Sequence, residues 1–185
     1  MIPLILDYLS KEIATLSKLD VTELTVAVDI LSEAIKSGKT IYCFGNGGSA
    51  STASHFQNDF MKILNPKWPE FQFECLNDNM ATIMAIANDI SYDEIFRFQL
   101  TNRLKPGDIV IAISGSGNSI NVIKAVQYAK SQGNEVIALT GFNGGTLDIL
   151  ADVHLHVPVN DMQITEDIHL MFNHLLVSVL SKFLD

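Results

Sequence analysis

Two loops and a handful of polar side chains carry the residue types that could do chemistry in this chain. Gly45-Asn46-Gly47-Gly48-Ser49-Ala50 and Ser114-Gly115-Ser116-Gly117-Asn118-Ser119 each follow a short apolar run and precede a helix-forming stretch. Glycine lets the backbone approach an anion closely, and a helix N-terminus adds unpaired N–H groups with positive potential. The hydroxyls of the second loop add donors without adding charge. Either loop alone reads equally well as a tight turn with a serine cap, but two of them in one small chain point to a bound phosphate. A second set of groups is of the kind that moves protons. His55 and Asp59 lie four apart and share one face of a helix. Near the C-terminus Gln163, Glu166, His169, Asn173 and His174 form an inward-placed polar set on a strongly apolar helix.

The elements that must position these groups follow from hydrophobic spacing. Residues 2–37 carry apolar positions at helical intervals (Ile5, Leu9, Ile13, Leu16, then Leu24, Val28, Leu31, Ile35), which predicts two amphipathic helices broken near Asp20. A short strand at 41–44 runs into the first loop, and a helix carries His55 to Met61. The unit then repeats: strand 108–113, the second loop, helix 121–131, strand 135–140, a turn at Gly141-Phe142-Asn143-Gly144-Gly145, a shorter strand at 153–157 and a last helix from about 164 to 184. Continuous apolar strands alternating with helices predict an α/β fold: one doubly wound parallel sheet covered on both faces. No linker divides residues 1–185, so a single domain is expected, with a helical segment at about 2–37 and an α/β core at about 38–185. Residues 65–70 read as a surface loop. Met80, Ile83 and Met84, at helical spacing, read as core.

Composition narrows the function classes. Of 185 residues, 48% are hydrophobic and 18% charged, the balance of a packed globular protein. A net charge of −9 argues against nucleic acid as a partner, while leaving room for a phosphate held locally by backbone and hydroxyls. Cys43 and Cys75 lie in strand-like runs and read as buried thiols rather than metal ligands or a disulfide framework. No apolar run approaches the roughly 18 residues of a membrane span, and the start of the chain lacks a signal-peptide pattern; a cytoplasmic protein is expected, with no membrane partner. Neither loop is a Gly-x-Gly-x-x-Gly fingerprint and no Gly-Lys-Ser/Thr occurs, so no nucleotide cofactor is expected.

Phe44-Gly45-Asn46-Gly47-Gly48-Ser49-Ala50 with His55-Phe56, then Ala87-Asn88-Asp89, then Ile113-Ser114-Gly115-Ser116-Gly117-Asn118-Ser119 resemble the sugar-isomerase (SIS) domain, most closely its phosphoheptose isomerase branch. Residues 138–145 and 166–174 extend the resemblance over nearly the whole chain. It implies a flavodoxin-like three-layer sandwich and an enzyme that interconverts sedoheptulose 7-phosphate and an aldoheptose 7-phosphate, supplying heptose for surface polysaccharide. It also implies a homotetramer with sites shared between subunits. By motif position Asn46, Gly47, Gly48, Ser49, Asn88, Asp89 and Glu166 would contact substrate, and Ser114, Gly115, Ser116 and Ser119 would hold the phosphate end.

The resemblance further implies a metal set of His55, Asp59, Glu166 and His174, a mixed His/carboxylate group that zinc accepts. Such an isomerase needs a base to move a proton between C1 and C2 and an acid or metal to stabilise the enediolate oxygen; Asp59 or Glu166 is expected as base and His174 as acid. Two positions depart from the family pattern, which carries glutamate where Asp59 stands and glutamine where Glu166 stands. His169 reads as a hydrogen-bonded core residue, and His154 and His156 as an exposed pair on a strand. Rival readings are a non-catalytic SIS tetramer that binds a protein such as the replication initiator, an isomerase of another sugar phosphate, and a sugar-phosphate sensor. The last is usually fused to a helix-turn-helix that this acidic chain does not show.

Overall fold

The protein, described over residues 1–184 by a computed structural model, is built on one five-stranded parallel sheet. Helices α1 (Ile2–Leu16) and α2 (Val21–Lys36) come first, and Asp20 separates them by accepting the Thr22 N–H at 2.8 Å to cap α2. Strand β1 (Thr40–Gly45) leads into α3 (Gly48–Ile63), and β2 (Gln72–Cys75) into α4 (Met80–Asp89). A 3₁₀ turn (Tyr92–Glu94) and the short α5 (Arg97–Thr101) precede β3 (Ile109–Ser114) and α6 (Ile120–Ser131). The chain continues through β4 (Glu135–Thr140), α7 (Leu147–Leu150), β5 (Val153–His156) and the long α8 (Met162–Phe183).

The strand order is β2-β1-β3-β4-β5, all parallel, with Ile41 opposite Ile109 and Cys43 opposite Cys75. Strand side chains alternate between faces, and each face has its own core. Ile41, Cys43, Ile109, Ile111 and Ile113 pack under α2, α3 and α8; Tyr42, Phe44, Val110, Ala112 and Val126 pack on the α6 side. This is the doubly wound three-layer sandwich expected from the sequence. The sheet reverses direction between β1 and β3, since β1 connects outward to β2 while β3 connects to β4. At such a switch point the loops leaving the two strands part and open a crevice off their carboxyl ends.

Several readings of local sequence change in the fold. Met80 and Met84 are 61% and 66% exposed; only Ile83 of that trio packs on the core. Helical spacing shows which residues share a face, not what covers it. His154 and His156 are half-buried rather than exposed: His154 lies 3.6 Å from Asp148, and His156 Nδ1 pairs with Thr140 Oγ1 at 3.0 Å. Both cysteines are free and buried, and burial pushes the Cys43 thiol well above its usual range and Cys75 to about 11. Neither thiol is a nucleophile at neutral pH.

Candidate active site at the sheet switch point

The crevice between β1 and β3 holds a cleft of about 180 Å³ lined by Asn46, Ser49, Ser114, Gly115, Ser116, Ser119 and Glu166, with Ile113 and Met162 completing its walls. The two loops and the last helix therefore converge on one space, and among the described residues no lysine or arginine lines it.

Local backbone chemistry explains the convergence. Helices α2, α4 and α8 close their N-termini with the side chains of Asp20, Asn79 and Asp161. The two helices that begin at the cleft do not: Gly47 starts α3 and Ser119 starts α6 without a side-chain cap. The first N–H groups of α3 and those of Ile120 and Asn121 in α6 stay available to a ligand, the Val122 N–H being taken by Asn121 Oδ1, and each helix adds positive potential at its end. Ser119 spends its hydroxyl on Ser114 Oγ instead, at 3.0 Å, so two hydroxyls sit side by side at the mouth of α6. A Cβ on Gly117, whose φ is +65°, would collide with the Gly144 carbonyl oxygen, so the turn after β4 braces the serine loop from behind.

Glu166 enters from the other wall. A Cβ on Gly48 would collide with its carboxylate, so only glycine lets this side chain lie against the start of α3. Helices α3 and α8 run side by side from there. Two to three turns on, Asn173 donates to Asp59 Oδ2 at 2.7 Å, and His174 Nε2 lies 3.3 Å from His55 Nε2. Between Glu166 and Asn173 on α8, His169 is 1% exposed, with Nε2 3.2 Å from the Thr140 carbonyl. Burial holds its imidazole down at about 4, so it stays neutral, as expected of a core histidine.

Of the four expected metal ligands, three meet. The His55–Asp59, His55–His174 and His174–Asp59 ligand-atom separations are 3.3, 3.3 and 3.7 Å, and among the described residues these three form a candidate metal group. Donors about 2.0–2.1 Å from a tetrahedral ion stand about 3.3–3.4 Å apart, so the triangle fits a small divalent metal with one face open. Glu166 is not part of it in the single chain. Eight residues separate it from His174, about 12 Å of helix, and its carboxylate lines the cleft instead.

The other expected contacts divide. Asn46, Ser49, Ser114, Gly115, Ser116 and Ser119 line the cleft. Gly47 forms the helix start, and Gly48 touches Glu166. Asn88 and Asp89 do not line the cleft; they pair with each other at 2.7 Å at the exposed end of α4. Sequence reasoning missed Asn121 and Tyr92, which bond the Asn46 amide, and gave no role to Asn173. No periodicity or motif marks the first two; only the pairing of distant segments does.

A doubly wound α/β fold with a glycine- and serine-lined cleft at its switch point is the class that fold and site define. The chain belongs to the SIS domain family, whose model matches residues 6–141. Among its relatives, a phosphoheptose isomerase of Shewanella denitrificans is 39% identical over 161 residues, 85% of this chain and 82% of the relative. A protein named probable phosphoheptose isomerase from Thermoplasma acidophilum is 37% identical over 95% of this chain and 96% of its own length. Solved phosphoheptose isomerases superimpose closely. The Neisseria gonorrhoeae enzyme gives a TM-score of 0.89 at 28% identity, over 96% of this chain and 97% of the other. The Francisella tularensis enzyme gives 0.90 at 26% identity, over 98% of each chain.

Proposed function

We propose that this protein is a sugar-phosphate aldose–ketose isomerase that interconverts sedoheptulose 7-phosphate and an aldoheptose 7-phosphate. The observation that carries the reading is the single cleft lined by both glycine/serine loops and by Glu166, supported by the kinship with phosphoheptose isomerases along nearly the whole chain.

The phosphate lies at the α6 end, taking N–H groups of the helix start and the hydroxyls of Ser114, Ser116 and Ser119. The sugar then extends toward α3, bringing C1 and C2 to the Glu166 side. Glu166, which stands where the family pattern has glutamine, is the base that carries the proton between these carbons, taking over in this chain the part that the family's glutamate at the Asp59 position would fill. Asp59 is the less suited of the two carboxylates, because Asn173 and Asn58 already donate to its oxygens. His174 is 55% exposed on its side chain and about 12 Å of helix from Glu166, so it acts as the acid on the sugar oxygen in the cleft of a neighbouring subunit. With a metal such as zinc held by His55, Asp59 and His174, stabilisation of the enediolate oxygen would fall to the metal and His174 would no longer serve as the acid.

Self-association completes the reading. The apolar stripe of α1 (Ile5, Leu9, Ile13, Leu16) is exposed on the single chain, beside Leu4 and Leu6. A patch of this kind marks an interface; a homotetramer covers it and brings Asn88 and Asp89 to a neighbouring cleft. A cytoplasmic location suits a substrate whose phosphate keeps it from crossing membranes.

The test is turnover. Purified protein is incubated with sedoheptulose 7-phosphate and with five- and six-carbon ketose phosphates, with and without chelator, and aldose formation is followed. The seven-carbon ketose should be preferred, and chelator should slow it. Absence of turnover on every ketose, with the oligomer intact, would favour a non-catalytic interaction protein.

A further inference from the structure

We propose that Tyr92 and Asn121 are positioning residues for substrate recognition: they lock the Asn46 side-chain amide so that it offers the cleft one N–H donor and no acceptor. This rests on the reading that the cleft holds a sugar phosphate.

A primary amide has four hydrogen-bonding positions, two lone pairs on oxygen and two N–H groups. Three of those on Asn46 are filled by protein. Tyr92 Oη donates to Asn46 Oδ1 at 2.9 Å, and Asn121 Nδ2 donates to the same oxygen at 2.9 Å. Asn46 Nδ2 returns one N–H to Asn121 Oδ1, again at 2.9 Å. Both acceptor positions are thus used. The second N–H has no partner among the described residues, and Asn46 is a wall of the cleft.

The partners are themselves fixed. Asn121 is 2% exposed and its Oδ1 also takes the Val122 N–H at 2.9 Å, so the amide pair is anchored to the first turn of α6, the helix that begins at the serine loop. Tyr92 stands on the 3₁₀ turn whose Glu94 is paired with Lys124 of α6 at 2.9 Å. All three groups therefore move with the phosphate end of the site. Rotating the Asn46 amide by half a turn would set NH₂ against the NH₂ of Asn121 and remove the acceptor from the tyrosine hydroxyl, so one orientation is enforced. A donor fixed beforehand needs no ordering when an acceptor oxygen arrives. The group selected is a phosphate, hydroxyl or carbonyl oxygen, and a ligand presenting a donor at this point is refused.

Tyr92→Phe is the decisive variant, because it deletes one exposed hydroxyl and keeps the ring. With sedoheptulose 7-phosphate it should raise KM about three- to tenfold, more than it lowers kcat. Since Tyr92 acts through Asn46, adding Y92F to N46A should change nothing further in a double-mutant cycle. An unchanged KM in Y92F, or its full effect persisting in the N46A background, overturns the proposal. A wild-type protein that neither binds nor turns over sedoheptulose 7-phosphate overturns the functional reading instead. Positioning is then judged from the ¹⁵N side-chain amide spectrum, in which the Asn46 pair is identified by its loss in N46A. Those two signals should shift in both Y92F and N121A, and signals that stay in place in Y92F overturn the proposal.

Discussion

In the proposed complex the phosphate meets backbone N–H groups and the hydroxyls of Ser114, Ser116 and Ser119, and among the described residues no cationic side chain lines the cleft, so each hydroxyl should carry a measurable share of the affinity. Charge-assisted hydrogen bonds are worth about 1.5–3 kcal/mol, and Ser119→Ala should therefore raise KM for a sugar phosphate by roughly tenfold or more. Steady-state kinetics with phosphorylated and unphosphorylated ketose check this, because only the phosphorylated substrate should respond. Glu166 is the sharper case. Glu166→Gln keeps its shape against Gly48 and removes the carboxylate proposed as the base, so kcat should fall by about 10²–10⁴ with KM little changed; an unchanged kcat would move the base to Asp59. That both loops start helices was legible in the sequence because glycine and serine before a helix are a local signal; that they line one cleft comes from the sheet order. The parts played by Asn121 and Asn173 were hidden, since an asparagine acquires them only from what the fold sets across from it. Glu166 was expected from the resemblance as base, substrate contact and metal ligand; in the single chain it lines the cleft and lies apart from the His55/Asp59/His174 group, a separation of two helix turns that a motif match does not show.

Helix α8 ties the site to the core, and it does so through a buried histidine. His169 has its pKa lowered from 6.5 to about 4, chiefly by burial. Between those values the unfolded chain binds a proton that the folded chain does not, so stability falls as pH drops from about 6.5 to 4 and loses no more to this group below that. The difference amounts to roughly 3 kcal/mol. His156, also held down by burial, adds in the same direction. Chemical denaturation at pH 7 and pH 4.5 should show this loss, and His169→Gln, which retains a donor for the Thr140 carbonyl, should reduce it. Among the elements themselves, β1, β3 and β4 were readable because strands buried on both faces are continuous apolar runs. β2 is four residues long and carries Gln72 and Glu74, so its place at the sheet edge came from pairing with β1 and not from its own pattern. The spacing of His154 to His156 suggested exposure, but Asp148 and Thr140 lie over that edge.

At the scale of the whole molecule, α1 buries only Thr15 and is tied down by Tyr8 to Asp167 and by Lys11 to Asp161 at 2.6 Å. A helix held by polar bonds with its apolar stripe outward is built to be covered. Leu9→Glu combined with Ile13→Glu should leave each subunit folded but lower the mass seen by light scattering, and activity should drop with it if neighbouring subunits complete the site. The sequence shows that stripe plainly, although it cannot tell a core face from an interface. The central claim is that one cleft seats the phosphate while Glu166 moves a proton between adjacent sugar carbons. Its most direct measurement is deuterium incorporation from heavy water at C1 of sedoheptulose 7-phosphate and at C2 of the aldose formed, followed by NMR with wild type and Glu166→Gln. Wild type should label those positions and form aldose, and the variant should do so at least a hundredfold more slowly. Tight binding of the ketose phosphate by wild type with no label entering either carbon would contradict the account.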